Sequence, residues 1–426
     1  MTFSVTRSPG IIIPPSESTP SGTLDLSVID RLPRLRRNTH IVHVYRHGHE
    51  EAAKVIREAL SKALVPYYPL AGRLKESSHG ELQLACTGEG VWFIEASTDF
   101  SLDSFDYFDS FPMVPYNDLL PTPPPENFGI DPLMRLQFTR LSCQGFVIAF
   151  TFCHNICDGL GAAQFLNAVG EFARGFKDPR IVPVWRRDLI PASARVVHAL
   201  GERKPPPPPP IPAYPLQHVT IDIPLDQINQ LKNQFLESTG EYCSTFEVVT
   251  ASIWRRQTQV IKLGKENNAM LVFTANTRNL LKPTLPEGFY GNCIFPATVT
   301  VSSEWLLEAT IADIVKLIKE TKAKLPIEFS KWLKRCELDD GDDPFSKFKP
   351  VLYTTLYMSD FTHLGFDQID YGWGLPVHVL PEGFSSTMPF IFVLVQSPPP
   401  PKKGIRLVTW CEKSHRSSLE ETMNLF

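Results

Sequence analysis

The stretch Gly145 to Gly175, GFVIAFTFCHNICDGLGAAQFLNAVGEFARG, decides the fold. Its first part alternates: Phe146, Ile148, Phe150, Phe152 and His154 share one face of a strand, and Val147, Ala149, Thr151 and Cys153 the other. Asp158 and Gly159 break that pattern. From Gly161 the period lengthens, so that Ala162, Phe165, Leu166, Val169, Phe172 and Ala173 mark one face of a helix that Gly175 can end. His154 therefore stands where a strand gives way to a helix, a place from which a rigidly held side chain can reach a cavity.

The motif is His154-x-x-x-Asp158-Gly159. Taken alone it admits two readings, a hydrogen-bonded structural histidine or a catalytic base, and the rest of the chain must decide between them. Cys153 and Cys157 bracket the histidine, which raises a metal site. Strand alternation turns Cys153 away from His154, however, and no other Cys/His pair has zinc spacing, so no metal is expected. His40, His43, His47 and His49 form a second cluster, read as surface histidines on a strand and its following turn.

Composition narrows the function classes. At 426 residues and 43% hydrophobic content the chain can build full cores in two or three domains. A net charge of −4 gives no global basic field for nucleic acid, and the basic cluster Arg31, Arg34, Arg36 and Arg37 beside Pro33 reads as a solvated loop. The 8 cysteines, without a CxxC pair, read as reduced thiols. With no secretory h-region, spanning segment or lipidation signal, a cytoplasmic protein away from membranes is expected.

In chain order, a helix is expected over Glu51–Leu64 and strands over Ile41–Tyr45, Glu81–Cys86 and Gly90–Ala96, the last two joined as a hairpin by Thr87-Gly88-Glu89. A long Pro- and Asp-rich connection runs from Ser97 to Asp131, and Leu133–Leu141 pairs with Gly145–Cys153. Pro205 to Pro210 form an extended spacer, spanning roughly 19 Å at about 3.1 Å per residue. It divides the chain into an N-terminal lobe at 1–195, a crossover linker at 196–216 and a C-terminal lobe at 217–426. The second half mixes strands (His218–Ile223, Met270–Asn276, Ile294–Val301, Val351–Met358, Pro389–Gln396, Gly404–Cys411) with helices over Pro224–Ser238, from Ser244 or Thr245 to about Lys262, and from Trp305 to Leu325. Pro398 to Pro401 fall in the last bend. Two α/β lobes of similar size follow.

YPLAGRL at Tyr68–Leu74, HxxxDG at His154–Gly159, NTR at Asn276–Arg278, YGNC at Tyr290–Cys293 and Asp370-Tyr371-Gly372-Trp373-Gly374 together resemble the plant BAHD acyltransferases. The resemblance covers nearly the whole chain and lies nearest the branch with monolignol hydroxycinnamoyl, benzyl alcohol benzoyl and taxane acyltransferases. It implies two lobes with mixed β-sheets like those of chloramphenicol acetyltransferase, flanked by helices, and a channel between them. It implies acyl transfer from acyl-CoA, a co-substrate rather than a bound cofactor, to a small alcohol or amine, with His154 as general base in a monomer. Asp158, Gly159, Arg278, Asp370, Gly372, Trp373 and Gly374 are implied to be structural, with Asp158 paired to Arg278. Ser244, Thr245, Asn292 and Phe361 are implied to touch substrate. One departure stands out: where many members carry Ser/Thr-x-Trp, this chain has Ser359-Asp360-Phe361, and a phenyl ring donates no hydrogen bond. A Cys/His thioester hydrolase, using Cys153 or Cys157, is the rival class.

Overall fold

The alternating segments assemble into two large mixed sheets and one small one. A computed structural model describes residues 4–48, 51–78, 80–104, 116–124, 132–190, 216–337, 343–345, 354–382, 391–396 and 403–423. The proline run, most of the Ser97–Asp131 connection, His49 and Pro398–Pro401 lie outside them.

In the first sheet the strands are Val5–Arg7 (β1), Ile11–Ile13 (β2), Asn38–Tyr45 (β4), Val91–Thr98 (β7), Met134–Arg140 (β8), Phe146–Cys153 (β9) and His378–Glu382 (β14). Their order is β1-β7-β8-β9-β4-β14, with β2 also on β7. The second sheet holds Leu216–Pro224 (β10), Asn268–Asn276 (β11), Ile294–Ser302 (β12), Thr355–Asp360 (β13), Ile391–Gln396 (β15) and Gly404–Glu412 (β16). Its order is β10-β16-β15-β13-β11-β12. Gly22–Asp25 (β3), Arg73–Glu76 (β5) and Leu82–Cys86 (β6) make the small sheet.

The helices Ala52–Ala63 (α1) and Gly159–Ala173 (α2) pack on the face of the first sheet that carries Phe146, Ile148, Phe150 and Phe152, as the alternation requires. Val147 and Ala149 pack in a separate cluster on the opposite face, with Val42 and Val44. Around the second sheet lie Leu225–Thr239 (α3), Thr245–Val260 (α4) and Ile311–Glu337 (α5). Ser244 caps α4 in a reciprocal capping box with Glu247.

Three expectations need correction. The segments Leu82–Cys86 and Val91–Thr98 are not a hairpin but belong to different sheets. Gly88 and Gly90 take positive φ (66° and 106°), and a Cβ at Gly90 would lie 2.1 Å from the Ile13 carbonyl, so the chain turns and is captured by β2 and β8. His43 is fully buried among Ile41, Tyr45 and Phe366, and burial pulls its pKa down to about 3. The helix after β12 is two helices, Ser303–Glu308 and α5, and α5 runs through Pro326. β14, from the second half of the chain, pairs with β4 and completes the first sheet.

The Asp370–Gly374 element docks on that same core. Tyr371 meets Tyr45 edge-on at 5.5 Å and Trp373 meets Phe146 at 6.1 Å. Asp370 Oδ1 accepts from the amides of Gly372 (2.7 Å) and Gly374 (3.0 Å), both at positive φ. Arg174, at the end of α2, donates to the Asp370 carbonyl. Gly170 makes this contact possible, because a Cβ there would sit 2.5 Å from that carbonyl oxygen. Gly170→Ala is therefore expected to lower stability by about 1–3 kcal/mol through overpacking, read as a drop in melting temperature.

Candidate active site

His154 follows β9 directly, and β4 fixes its surroundings. The register pairs Asn38 with Cys153, and the His154 amide donates to the Arg37 carbonyl at 2.9 Å. Asp158 then begins α2 as its N-cap, accepting from the Gly161 amide at 3.0 Å. A Cβ at Gly161 would stand 2.0 Å from the Tyr290 carbonyl, so this glycine lets the first turn of α2 lie against the Tyr290–Cys293 loop.

A cavity of about 360 Å³ opens in front of His154, between the two large sheets. Its walls are mostly apolar: Leu35, Phe152, Leu160, Ile294, Phe345, Tyr357, Phe361, Leu364 and Ile391. The polar groups on it include Arg34, Arg37, Thr39, Thr274, Asn276 and Ser359. A second cavity, of about 520 Å³, shares Leu160, Arg278 and Leu364 with the first. The Asp158–Arg278 pair thus stands beside the boundary of the two spaces.

The histidine is locked on one side and open on the other. Asn292 donates Nδ2 to the His154 carbonyl (2.8 Å) and to Asp30 Oδ1 (2.7 Å), both of which only accept. Its Oδ1 therefore faces His154 Nδ1, at 3.1 Å, and that nitrogen carries the proton. Nε2 is left with its lone pair. Burial, and next the positive charge of Arg37, bring the imidazole pKa down to about 4. The ring is neutral at physiological pH and able to take a proton.

Asp158 and Arg278 form a bidentate pair, with Nη1–Oδ2 at 2.7 Å and Nη2–Oδ1 at 2.8 Å. Asp158 Oδ2 also accepts from the Cys293 amide at 3.0 Å. Burial alone raises the carboxyl's pKa, but Arg278 and these hydrogen bonds outweigh it and hold the group below its usual range. Among the described residues, the side-chain hydrogen bonds of Asp158 go to Gly161, Arg278 and Cys293 and not to the imidazole.

The remaining expected residues separate. Phe361 lines the cavity and stacks on Phe366 at 6.2 Å. Asn292, expected against substrate, is fully buried behind His154. Ser244 and Thr245 do not line the His154 cavity; the Ser244 hydroxyl is engaged by the Glu247 amide. Gly159 lines the cavity, while Asp370, Gly372, Trp373 and Gly374 do not. The basic cluster is a correction: Arg34 and Arg37 line the cavity, and Arg31 is buried beside Glu81 at 3.7 Å. No local signal marks them, since only the pairing of β4 with β9 delivers the segment before β4 to the end of β9.

Neither thiol serves this space. Cys153 and Cys157 are fully buried and absent from the cavity wall, the Cys153 Sγ lies 3.8 Å from Asn155 Oδ1, and burial pushes the Cys157 thiol pKa up. Among the described residues no group of three or more His, Cys, Asp or Glu could hold a metal ion, and no helix is long and apolar enough to cross a membrane.

Two mixed sheets meeting at an open histidine define the class, that of two-lobed acyltransferases. Vinorine synthase superimposes with a TM-score of 0.76 at 19% identity over 99% of this chain and 98% of its own. TRI101 of F. sporotrichioides, complexed with coenzyme A and T-2, does so at 0.73 and 14% identity over 95% and 99%. The Transferase family model matches residues 3–426, and the chain belongs to that family, the BAHD acyltransferases. It is 38% identical to Acyl transferase 4 of Oryza sativa subsp. japonica over the full length of both chains. It is 34% identical to taxadien-5-alpha-ol O-acetyltransferase of Taxus chinensis, over 87% of this chain and 84% of that one.

Proposed function

We propose that this protein transfers an acyl group, aromatic and of hydroxycinnamoyl or benzoyl type, from an acyl-CoA thioester to the hydroxyl of a small alcohol. The observation that carries this reading is the locked tautomer of His154, with Nε2 free at the wall of an apolar cavity. A thioester is already activated, so no covalent enzyme intermediate is needed. The acceptor hydroxyl needs its proton removed as it attacks, which His154 Nε2 does. The oxygen–carbonyl bond forms, the carbon–sulfur bond breaks, and the imidazolium returns the proton to the leaving thiolate. Holding both substrates in adjoining cavities supplies roughly 7–11 kcal/mol more.

The aromatic side chains Phe152, Tyr357 and Phe361 around the cavity support an aromatic acyl group. Among relatives, a caffeoyltransferase of Crocosmia x crocosmiiflora is 38% identical over the full length of both chains. The taxadienol relative keeps acetyl transfer to a bulkier alcohol as a second reading. Ser244 and Thr245, at the N-terminus of α4, stay in the reading only as contacts for the donor's distant end. Purified protein given several acyl-CoA donors against pooled alcohols and amines tests all of this. Free thiol should appear only when an acceptor is present; release without one would mark a hydrolase, and an amide product would overturn O-acylation.

Phe361 bears on how the tetrahedral oxyanion is held. Side chains able to donate on the cavity wall include Arg34, Arg37, Thr39, Thr274, Asn276, Arg278, Tyr357 and Ser359. One well-placed donor is worth about 2.7–4 kcal/mol on developing charge. Phe361→Trp should therefore raise kcat by about tenfold or more with KM little changed, offset by up to about 1–3 kcal/mol of overpacking against Phe366 and Leu364. A change confined to KM or to acceptor preference would leave Phe361 a wall of the pocket.

A further inference from the structure

Behind His154, away from the cavity, lies a buried polar chain that the acyl-transfer reading does not use. Asp30 is fully buried and Arg187 nearly so, with Arg187 Nε 2.9 Å from Asp30 Oδ2. Arg187 also donates to the Ile156 carbonyl at 2.7 Å. Asp30 Oδ2 accepts from the Ser27 amide (3.2 Å) and hydroxyl (2.9 Å). Its Oδ1 accepts from the Asn292 amide nitrogen (3.2 Å) and from Nδ2 (2.7 Å). These contacts join residues that stand 262 apart in the chain.

An Asn side chain can be turned either way, and only its partners decide which end carries the donor. A carboxylate cannot donate, so Asp30, together with the His154 carbonyl, obliges Asn292 to present its NH₂ group there. The carbonyl end of Asn292 is then left for His154 Nδ1. We propose that Asp30, held by Arg187, is a positioning residue for His154: it sets the Asn292 amide, and through it keeps the proton on Nδ1 and the lone pair on Nε2. This rests on His154 acting as the base.

In Asp30→Asn the remaining oxygen stays with the Arg187 charge and the Ser27 donors, which leaves the new NH₂ opposite Asn292. The Asn292 side chain should then turn over, giving up its bond to the His154 carbonyl; its NH₂ meets His154 Nδ1, and the proton moves to Nε2. The expected result in ¹⁵N-histidine-labelled protein is exchange of the Nδ1 and Nε2 chemical shifts of His154, assigned by their loss in His154→Gln. With it, kcat should fall on the order of 10²-fold, since the wrong tautomer removes the base. KM should change less than about twofold, because neither Asp30 nor Asn292 lines the cavity.

Asp30→Asn also leaves the Arg187 charge without its partner, which lowers stability for a purely structural reason. The double variant Asp30→Asn/Arg187→Met removes both charges and separates the two effects. Positioning predicts that it regains melting temperature while the tautomer stays reversed and kcat stays low. Recovery of kcat together with stability, or an unchanged Nδ1–H tautomer in any folded Asp30 variant, overturns the proposal. A reversed tautomer with unchanged kcat leaves the positioning intact and overturns the base role of His154 instead.

Discussion

His154→Ala is expected to lower kcat/KM by about 10²–10⁴-fold and to leave the protein folded. The side chain contributes little that packing could not replace: it opens into the cavity, while its neighbours Phe152, Asn155 and Ile156 are buried. On the proposed reading its loss removes the base and leaves the approximation of the two substrates in place, so catalysis should be reduced rather than abolished. The pH profile follows from the same site. With a folded pKa of about 4, the imidazole stays neutral, and kcat/KM should be flat from pH 8 to about 5 with an acid limb near 4. An acid limb at the ordinary histidine value, near 6.5, would count against burial and Arg37 as the tuning groups. The stability linkage has the matching sign. Folding disfavours this proton, so the unfolded chain binds it first as pH drops, and stability is lost as pH falls from about 6.5 toward 4. Near-normal turnover in His154→Ala would remove the residue from the mechanism.

The strand-to-helix junction around His154 was legible because its signals are local. Alternation fixes which face of β9 meets α2 without reference to any other strand, and the longer period marks α2 itself. The cap at Ser244 was legible for the same reason, since Glu247 stands three residues on. What stayed hidden is what pairing decides. Nothing in Arg34 or Arg37 shows that β4 will lie beside β9 in the register Asn38 to Cys153, and that register alone turns a basic loop into a cavity wall. The departure of Val91–Thr98 from Leu82–Cys86 is of the same kind: a glycine turn permits a hairpin but does not compel one. Asn292 was singled out for its motif, yet its role behind His154 depends on Asp30, whose approach no spacing announces.

Asp158→Ala is expected to cost about 3–5 kcal/mol of stability and to take activity with it. Asp158 does several jobs at once. It caps α2 at Gly161, bonds the Cys293 amide and holds Arg278 through both carboxylate oxygens. Arg278 in turn donates to the Gly291 carbonyl at 2.8 Å, so the pair ties the start of α2 to the loop that carries Asn292. Loosening that loop would displace the Asn292 amide from Nδ1 and so disturb the proposed base, His154. Asp158→Asn should lose less, because a neutral amide keeps the cap's acceptor while giving up the charge. The pH sign is the same as that of His154, because both groups have their pKa lowered on folding, but the window lies lower. The carboxyl is held below its ordinary range, so its contribution is complete above about pH 3.9, the unfolded value, and is lost as pH falls further, through the folded pKa. A double-mutant cycle between Asp158→Ala and Arg278→Ala, read by denaturant unfolding, measures the coupling directly. It should reach at least about 1 kcal/mol, because Arg278 retains 17% and Asp158 only 4% of side-chain exposure and water screens the pair little. Additive losses would reduce Asp158 to a helix cap and free Arg278 for a role at the boundary of the two cavities, which it also lines.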